Sequence, residues 1–302
     1  MTAKIIDGRA VAEDIRSECR ERVQRLKAES GIAPGLAVIL VGDNPASALY
    51  VRNKVRACAE VGIVSKRLQF PADVEPAAVT RAITELNADP AIHGILVQLP
   101  LPPHFTANSV LRTISADKDV DGFHLYNVGG LVVGDTVFPP CTPYGVLKLL
   151  DHENISLEGK NVVVVGASNI VGKPMALMLM QRDATVCICH AKTRDLAQFT
   201  ILADVLVVAA GKRNLILPEM VRTGAVVIDV GINRLEDGRF VGDVDFEGVR
   251  QKASYITPVP GGVGPMTVTM LLVNTIASAE RFARGQTIVH TPDATPSLDP
   301  VV

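Results

Sequence analysis

Tyr50, Lys54 and Cys58 recur at i, i+4 and i+8 within Tyr50-Val-Arg-Asn-Lys54-Val-Arg-Ala-Cys58. On a helix, that spacing places all three on one face. A lysine between a tyrosine and a cysteine on such a face differs from a solvated one: burial lowers an amine's pKa and makes it a candidate acid or base. A lysine held in an interfacial ion pair would show the same spacing. In His93-Gly94-Ile-Leu-Val-Gln98-Leu-Pro100-Leu-Pro102, Gln98 is a polar residue at the carboxyl end of an apolar strand. Ligands of open α/β sheets sit at that edge, although a lone Gln also satisfies loop backbone. Asp117-Lys-Asp119-Val-Asp121-Gly122-Phe123 imitates the opening of a calcium loop, but the twelfth position is Val128 where such a loop requires Glu. Calcium is therefore excluded, and the three carboxylates either hold the donor groups of a ligand or cap a turn.

A second chemical signal lies in Asn161-Val-Val-Val-Val-Gly166-Ala167-Ser168-Asn-Ile170-Val-Gly172-Lys-Pro174. A strand runs into a glycine-rich turn and a helix start, the arrangement that lets backbone approach a pyrophosphate at a helix N-terminus. Pro174 suits the first helical turn. Ser168 stands where the usual G-x-G-x-x-G pattern has its second glycine, and a tight structural turn would share much of this pattern. A nucleotide-triphosphate loop is excluded, because five residues separate Gly166 from Gly172 and Pro174 occupies the required Ser/Thr place. The next strand ends in Cys189-His190-Ala191-Lys192-Thr193-Arg194. It carries no acid for a ribose 2′-hydroxyl, while Lys192 and Arg194 suit a 2′-phosphate, so NADP is expected over NAD. The same two residues also suit the start of a solvated helix. Thr257-Pro-Val-Pro260-Gly261-Gly262-Val-Gly264-Pro265-Met-Thr267 is a rigid small-residue loop that permits close backbone approach to a ligand or a tight domain crossing.

The elements that must position these groups alternate between short β-rich runs and helices. Strands are expected at 35–41, 63–68, 94–99, 161–165, 185–189, 205–209, 225–230 and 255–256. Helices are expected at 46–61, 75–87, 142–151, 173–182 and 265–284. Parallel strands need crossovers and helices supply them, so the fold class is α/β. The stretch from Leu101 to about Pro140 is rich in Pro, Gly and Asp and is expected to be a lining loop with one short helix. Pro292, Pro296 and Pro300 mark an extended tail.

Composition bounds the remaining classes. The 302 residues suggest two domains. Their 48% hydrophobic and 21% charged content is that of a globular chain with a sizeable core. With 30 basic and 32 acidic residues, nothing points to nucleic acid or an anionic membrane as partner. No apolar run has the length of a membrane span, and the N-terminus lacks the apolar region of a signal peptide. Five cysteines, an odd number, suit a reducing cytoplasm better than a disulfide framework. Cys187-x-Cys189 has no second Cys/His pair at zinc spacing, so no metal is expected.

Together these segments resemble the bifunctional 5,10-methylenetetrahydrofolate dehydrogenase/5,10-methenyltetrahydrofolate cyclohydrolase family. The matching stretches are 50–63, 93–102, 118–123, 140–145, 166–174, 229–233, 242–244 and 255–267, in the family's order. The resemblance implies two α/β domains flanking a cleft, the second a Rossmann-type dinucleotide-binding domain. Residues 1–139 plus 266–285 would form the folate-binding catalytic domain, 140–265 the NADP-binding domain and 286–302 the tail. A homodimer formed through the cofactor domains is also implied. Lys54 would be the catalytic acid/base, Tyr50 would stack on the folate and Gln98 would tune Lys54. Asp121 would bind the pterin's donor groups, with Leu99, Pro260, Gly261 and Gly262 lining the same pocket. Gly166, Ala167, Ser168, Ile170, His190, Lys192 and Ile232 would bind NADP. Two positions depart from the family pattern. Ala191 stands where Ser or Arg commonly meets the 2′-phosphate, and Ala167 stands where many members carry Arg. Lys192 then becomes the candidate for that phosphate.

The expected chemistry is hydride loss from the one-carbon bridge of methylenetetrahydrofolate, followed by hydrolysis of the methenyl cation to 10-formyltetrahydrofolate. Both hydrolytic events move protons, which suits a desolvated Lys54. A neutral Gln98 can orient the amine without fixing it as a cation. Another NAD(P)-dependent dehydrogenase of an amino or hydroxy acid, or a non-catalytic dinucleotide-binding module, would share the glycine-rich loop but have no use for the Tyr50, Lys54 and Gln98 set.

Overall fold

The computed structural model describes residues 2–287. The chain opens with β1 (Lys4–Ile5) and α1 (Gly8–Ser30). The side chain of Asp7 accepts the N–H groups of Arg9 and Ala10 at the start of α1, and Gly31 ends the helix in the left-handed conformation at φ 73°. Val11, Cys19, Val23 and Leu26 form its buried stripe.

A first unit follows: β2 (Gly35–Val41), α2 (Pro45–Val61), β3 (Val64–Phe70), α3 (Pro76–Ala88) and β4 (Gly94–Val97). The three strands are parallel in the order β3-β2-β4. All seven residues of the central strand β2 are buried, the continuous apolar run expected of a strand covered on both faces. The expected lining loop is more structured than its composition suggested. It holds α4 (Ala107–Leu111), a 3₁₀ turn at 116–118 and α5 (Leu125–Val133) before α6 (Cys141–His152).

The second unit comprises β5 (Asn161–Val165), α7 (Gly172–Met180), β6 (Thr185–Cys189), α8 (Ala197–Thr200), β7 (Val205–Val208) and β8 (Val226–Asp229). It continues through the small antiparallel pair β9 (Asn233–Arg234) and β10 (Phe240–Val241), then α9 (Phe246–Arg250) and β11 (Tyr255–Ile256). Its six parallel strands run β1-β11-β8-β7-β5-β6. The N-terminal strand β1 thus belongs to this sheet, pairing Lys4 with Tyr255, although residues 1–139 were expected in the first domain. The last helix, α10 (Val263–Ala283), leaves the second unit and packs on α1 and α6. The expected tail at 286–302 lies outside the described residues from 288 onward.

One apolar core joins the units. Leu36 and Leu96 of the first sheet, Val162 and Val207 of the second, and Met270 and Leu271 of α10 belong to the same buried cluster. Each such side chain contributes about 1.5–3 kcal/mol through burial. Each sheet also has a point where strand order reverses. From β2 the chain moves to β3 on one side, while β4 lies on the other; from β5 it moves to β6, while β7 lies opposite. The carboxyl ends at such points open a crevice for ligands.

Candidate active site

The first crevice holds a polar cluster built from three distant segments. Lys54 projects from α2 and its Nζ donates to Gln98 Oε1 at 3.1 Å. Gln98 directly follows β4. Its backbone N–H donates to Ile39 O of β2 at 2.9 Å, and its Nε2 donates to Leu99 O at 2.7 Å. The amide is thus held from both sides with its oxygen toward the amine. Lys54, Gln98 and Leu99 are each half-buried. Asp121 completes the cluster, close enough for the Lys54 charge to act on it. Burial pushes the Asp121 carboxyl up, while Lys54 and the Cys141 thiol pull it back. An acid, an amine and an amide therefore meet where none of them is fully solvated.

Tyr50 and Cys58, on the same face of α2 as Lys54, have different surroundings. Tyr50 is 39% exposed and Cys58 is fully buried, its thiol pushed up to about 12 by that burial. The face runs from solvent to core with Lys54 midway, and Cys58 is packing. The three carboxylates of the false calcium loop also divide. Asp119 is buried and accepts the N–H groups of Phe123 and His124 and the Asn127 amide, so it caps a turn. Burial raises its carboxyl to about 6. Asp121, unlike Asp119, interacts with the Lys54 charge. Among the described residues, no group of three or more His, Cys, Asp or Glu is placed to hold a metal ion.

Tyr50 also borders a cleft of about 790 Å³ that separates the two units. Its far wall includes Ile232, and its end wall is the Pro260–Gly262 loop. Gly8 at the start of α1 packs so tightly under this loop that a Cβ there would overlap the Gly262 carbonyl. Lys54, Gln98 and Asp121 are not among the residues that line this cleft; Lys54 lies one turn further along α2 from Tyr50. The structure therefore gathers Tyr50, Ile232, Pro260, Gly261 and Gly262 at one cavity and Lys54, Gln98, Leu99 and Asp121 at an adjoining cluster.

The second crevice carries the glycine-rich loop. Gly166 adopts φ 122°, and a side chain there would overlap the Ala209 carbonyl across the gap from β7. Gly172 lets α7 begin directly against the Gly166 carbonyl. Ser168 Oγ accepts the N–H groups of Val171 and Gly172, capping the start of α7. These constraints leave a bare backbone cradle at a helix N-terminus, which fits a pyrophosphate. Ile170 is exposed beside it. At the end of β6, His190 Nδ1 accepts the Lys192 N–H at 3.1 Å, and the His190 N–H donates to Thr193 Oγ1 at 2.9 Å. This turn presents His190 and Lys192 to solvent, and Lys192 has no ion pair among the described residues.

Two functional candidates were missed. Asp229 and Asp243 are buried, 4% and 0% exposed, and receive backbone N–H groups from the loops around the second crevice. Burial pushes Asp229 up to about 7. Both lie in segments that carry the family resemblance, 229–233 and 242–244. The available signal was two acids flanked by glycines, Asp229-Val-Gly231 and Gly242-Asp243.

The chain matches known proteins along most of its length. Residues 6–121 match the family described as tetrahydrofolate dehydrogenase/cyclohydrolase, catalytic domain, and residues 140–283 match its NAD(P)-binding domain. The chain is 60% identical over 281 residues to the bifunctional protein FolD of Nitrosospira multiformis, covering 93% of this chain and 97% of that protein. The solved structure of the bifunctional enzyme FolD, a methylenetetrahydrofolate dehydrogenase/cyclohydrolase from Campylobacter jejuni, is similar at a TM-score of 0.91 and 53% identity, over 93% of this chain and 99% of that one. The Trypanosoma brucei N5,N10-methylenetetrahydrofolate dehydrogenase-cyclohydrolase, complexed with NADP cofactor and inhibitor, is similar at 0.91 and 41% identity, over 94% and 99%.

Proposed function

Because the chain belongs to the tetrahydrofolate dehydrogenase/cyclohydrolase family, we propose that the hydrogen bond between Lys54 and Gln98, beside Asp121, is the centre of its folate chemistry. The protein is a bifunctional enzyme. It oxidises 5,10-methylenetetrahydrofolate to 5,10-methenyltetrahydrofolate with NADP and hydrolyses the product to 10-formyltetrahydrofolate. The observation that carries the site assignment is the 3.1 Å contact from Lys54 Nζ to Gln98 Oε1.

Residues 1–139 with 266–285 are the folate-binding part in this reading, less the strand β1, and 140–265 the dinucleotide-binding part. Tyr50 stacks on the folate, Asp121 accepts from the pterin's N–H groups, and Leu99, Pro260, Gly261 and Gly262 close around it. Gly166, Ala167 and Ser168 take the pyrophosphate against α7, His190 and Lys192 meet the 2′-phosphate, and Ile170 and Ile232 provide apolar contact. Bound NADP supplies the hydride acceptor for the first reaction. The protein's contribution there is orientation and exclusion of water.

The hydrolytic step belongs to Lys54. Water adds to the methenyl carbon, and the neutral amine takes the water's proton. The resulting ammonium then donates that proton to the ring nitrogen as its bond to the one-carbon unit breaks, and the carbinol hydroxyl releases its own proton to solvent as the formyl C=O forms. Gln98 directs the amine throughout both transfers. A carboxylate in its place, in direct hydrogen-bond contact with the amine, would add to the pull of Asp121, favour the ammonium form and weaken the amine as a base.

A homodimer accounts for the edge of the second sheet. Strand β6 ends that sheet, and Ile188, Phe199, Ile201 and Leu202 are exposed apolar residues on or near it. A second copy covering this edge would bury them. Sedimentation should give twice 32.1 kDa. The five cysteines are free thiols, which suits the cytoplasm.

Lys54→Met tests the catalytic assignment. Cyclohydrolase activity should be abolished while NADP binding, measured by calorimetry, persists. Ring opening at the unmodified rate would remove Lys54 from the mechanism.

A further inference from the structure

The loops around the second crevice are tied to two buried carboxylates that play no part in the proton chemistry above. Asp229 ends β8 and Asp243 follows β10. Asp229 Oδ1 accepts the N–H groups of Gly231 and Asp243, both at 3.0 Å, and Oδ2 accepts that of Val244 at 3.0 Å. Asp243 Oδ2 accepts the N–H groups of Ala210 and Gly211 at 2.7 and 2.8 Å, and its Oδ1 accepts from Asn233 Nδ2 at 2.8 Å. The two acids interlock through glycines. A Cβ on Gly231 would overlap the Asp243 carboxylate, and one on Gly242 would overlap the Asp229 carboxylate.

This arrangement links the second crevice to the cleft between the units. Ala210 and Gly211 continue from Ala209, the residue against which Gly166 is packed. Gly231 and Asn233 flank Ile232, which is 46% exposed and lines the cleft. One carboxylate therefore holds the turn behind the glycine-rich loop and, through Asn233, the strand end that presents Ile232. No cation neutralises Asp243 among the described residues; its charge is satisfied by N–H donors alone, and charge-assisted bonds of this kind are the strong ones.

We infer that Asp243 is a positioning residue for the dinucleotide: it fixes the spacing between the Gly166 loop and Ile232, and so the width of the groove that receives the cofactor. This rests on the family reading that these loops face NADP. Asp243 does not touch the reacting atoms. Its removal should therefore weaken cofactor binding far more than hydrolysis at the Lys54 cluster in the first unit.

Asp243→Asn keeps the shape, but its NH₂ group must face either the Ala210 and Gly211 N–H groups or the Asn233 amide. Asn233→Ala removes one arm of the clamp while leaving both carboxylates. For each variant, the Kd for NADP is measured by calorimetry. The dehydrogenase rate and the hydrolysis of methenyltetrahydrofolate without dinucleotide are measured beside it. Asp243→Asn should raise the NADP Kd at least tenfold and lower the ratio of dehydrogenase to cyclohydrolase activity by a similar factor. Asn233→Ala should shift both in the same direction by about threefold. An NADP Kd within twofold of the parent in both variants overturns the inference, as does a parallel fall of both activities at constant ratio. Should Asp243→Asn fail to fold, Asn233→Ala decides alone. A parent protein with neither activity would overturn the family reading instead, an outcome separate from any result on the variants.

Discussion

Lys54 and Gln98 are 44 residues apart in sequence and meet at 3.1 Å, with the Gln98 amide held by Leu99 O so that its oxygen faces the amine. A helix and a strand end thus meet through one neutral acceptor. Replacing that acceptor by a carboxylate tests the neutrality. In Gln98→Glu, the added charge favours the ammonium form of Lys54. Hydrolysis of methenyltetrahydrofolate should slow by about 100-fold near neutral pH, roughly 3 kcal/mol of barrier. The rate should recover as pH rises, while NADP affinity stays unchanged. A pH–rate profile superimposable on that of the parent would show that neutrality at this position is unimportant.

Lys192 stands in a turn held by His190 and carries no ion pair among the described residues. Ala191 stands where the family commonly meets the 2′-phosphate, and Ala167 stands where many members carry Arg. Lys192→Ala should therefore raise KM for NADP by about tenfold, roughly 1.4 kcal/mol, and leave KM for NAD within twofold. Steady-state kinetics with both cofactors checks this. Equal weakening of the two would place Lys192 against a group they share.

Much of this site was legible because its residues sit at element ends or on one helical face. Gln98 closes an apolar run, and Gly166 follows one, so strand boundaries alone located both crevices. The shared face of Tyr50, Lys54 and Cys58 was also readable, but not its gradient from solvent to core; burial depends on what α2 packs against. Asp229 and Asp243 showed in the sequence only as two glycine-flanked acids, and their clamp was not readable because its partners, Ala210 to Val244, converge only when β7 and β8 lie side by side. The long helix α1 is a different omission. Its caps, Asp7 and Gly31, and its apolar stripe were present in the sequence, but charged residues outnumber that stripe and mask its period. β1 has two residues and pairs across some 250 positions, so no local pattern could reveal it.

Asn274 of α10 shows how the last helix supports the segment that carries Asp121. Its buried amide donates to Val120 O at 2.8 Å and Pro139 O at 3.0 Å, and Asp121 follows Val120 directly. Asn274→Ala leaves two carbonyls without that donor, at a cost of about 2–3 kcal/mol. Chemical denaturation should register this loss. KM for methylenetetrahydrofolate should also rise severalfold with KM for NADP little changed, because the disturbance reaches Asp121 and not the second crevice. A loss of stability with an unaltered folate KM would make Asn274 purely structural.

His93 should make the protein acid-sensitive. It is buried, its Nδ1 accepts the Gly35 N–H at 3.0 Å, and its ring meets Phe282 edge-on at 5.1 Å between centroids. A proton on Nδ1 would break the bond to Gly35 and charge a ring in an apolar setting. Burial lowers its pKa from 6.5 to about 4; Lys118 adds to that shift and Asp89 opposes it. The unfolded chain therefore takes up this proton first as pH falls. The contribution of neutral His93 is complete above pH 6.5 and declines toward pH 4, by about 2–3 kcal/mol at pH 4.5. Asp119 and Asp229, raised by burial to about 6 and 7, act in the opposite direction over the same range. Their share cancels when the parent is compared with His93→Asn, whose Oδ1 stands near the Nδ1 position and can still accept from Gly35 but does not titrate. Urea denaturation of both proteins at pH 7 and 4.5 should show the larger acid loss in the parent. Equal losses would acquit the histidine and assign the acid sensitivity elsewhere.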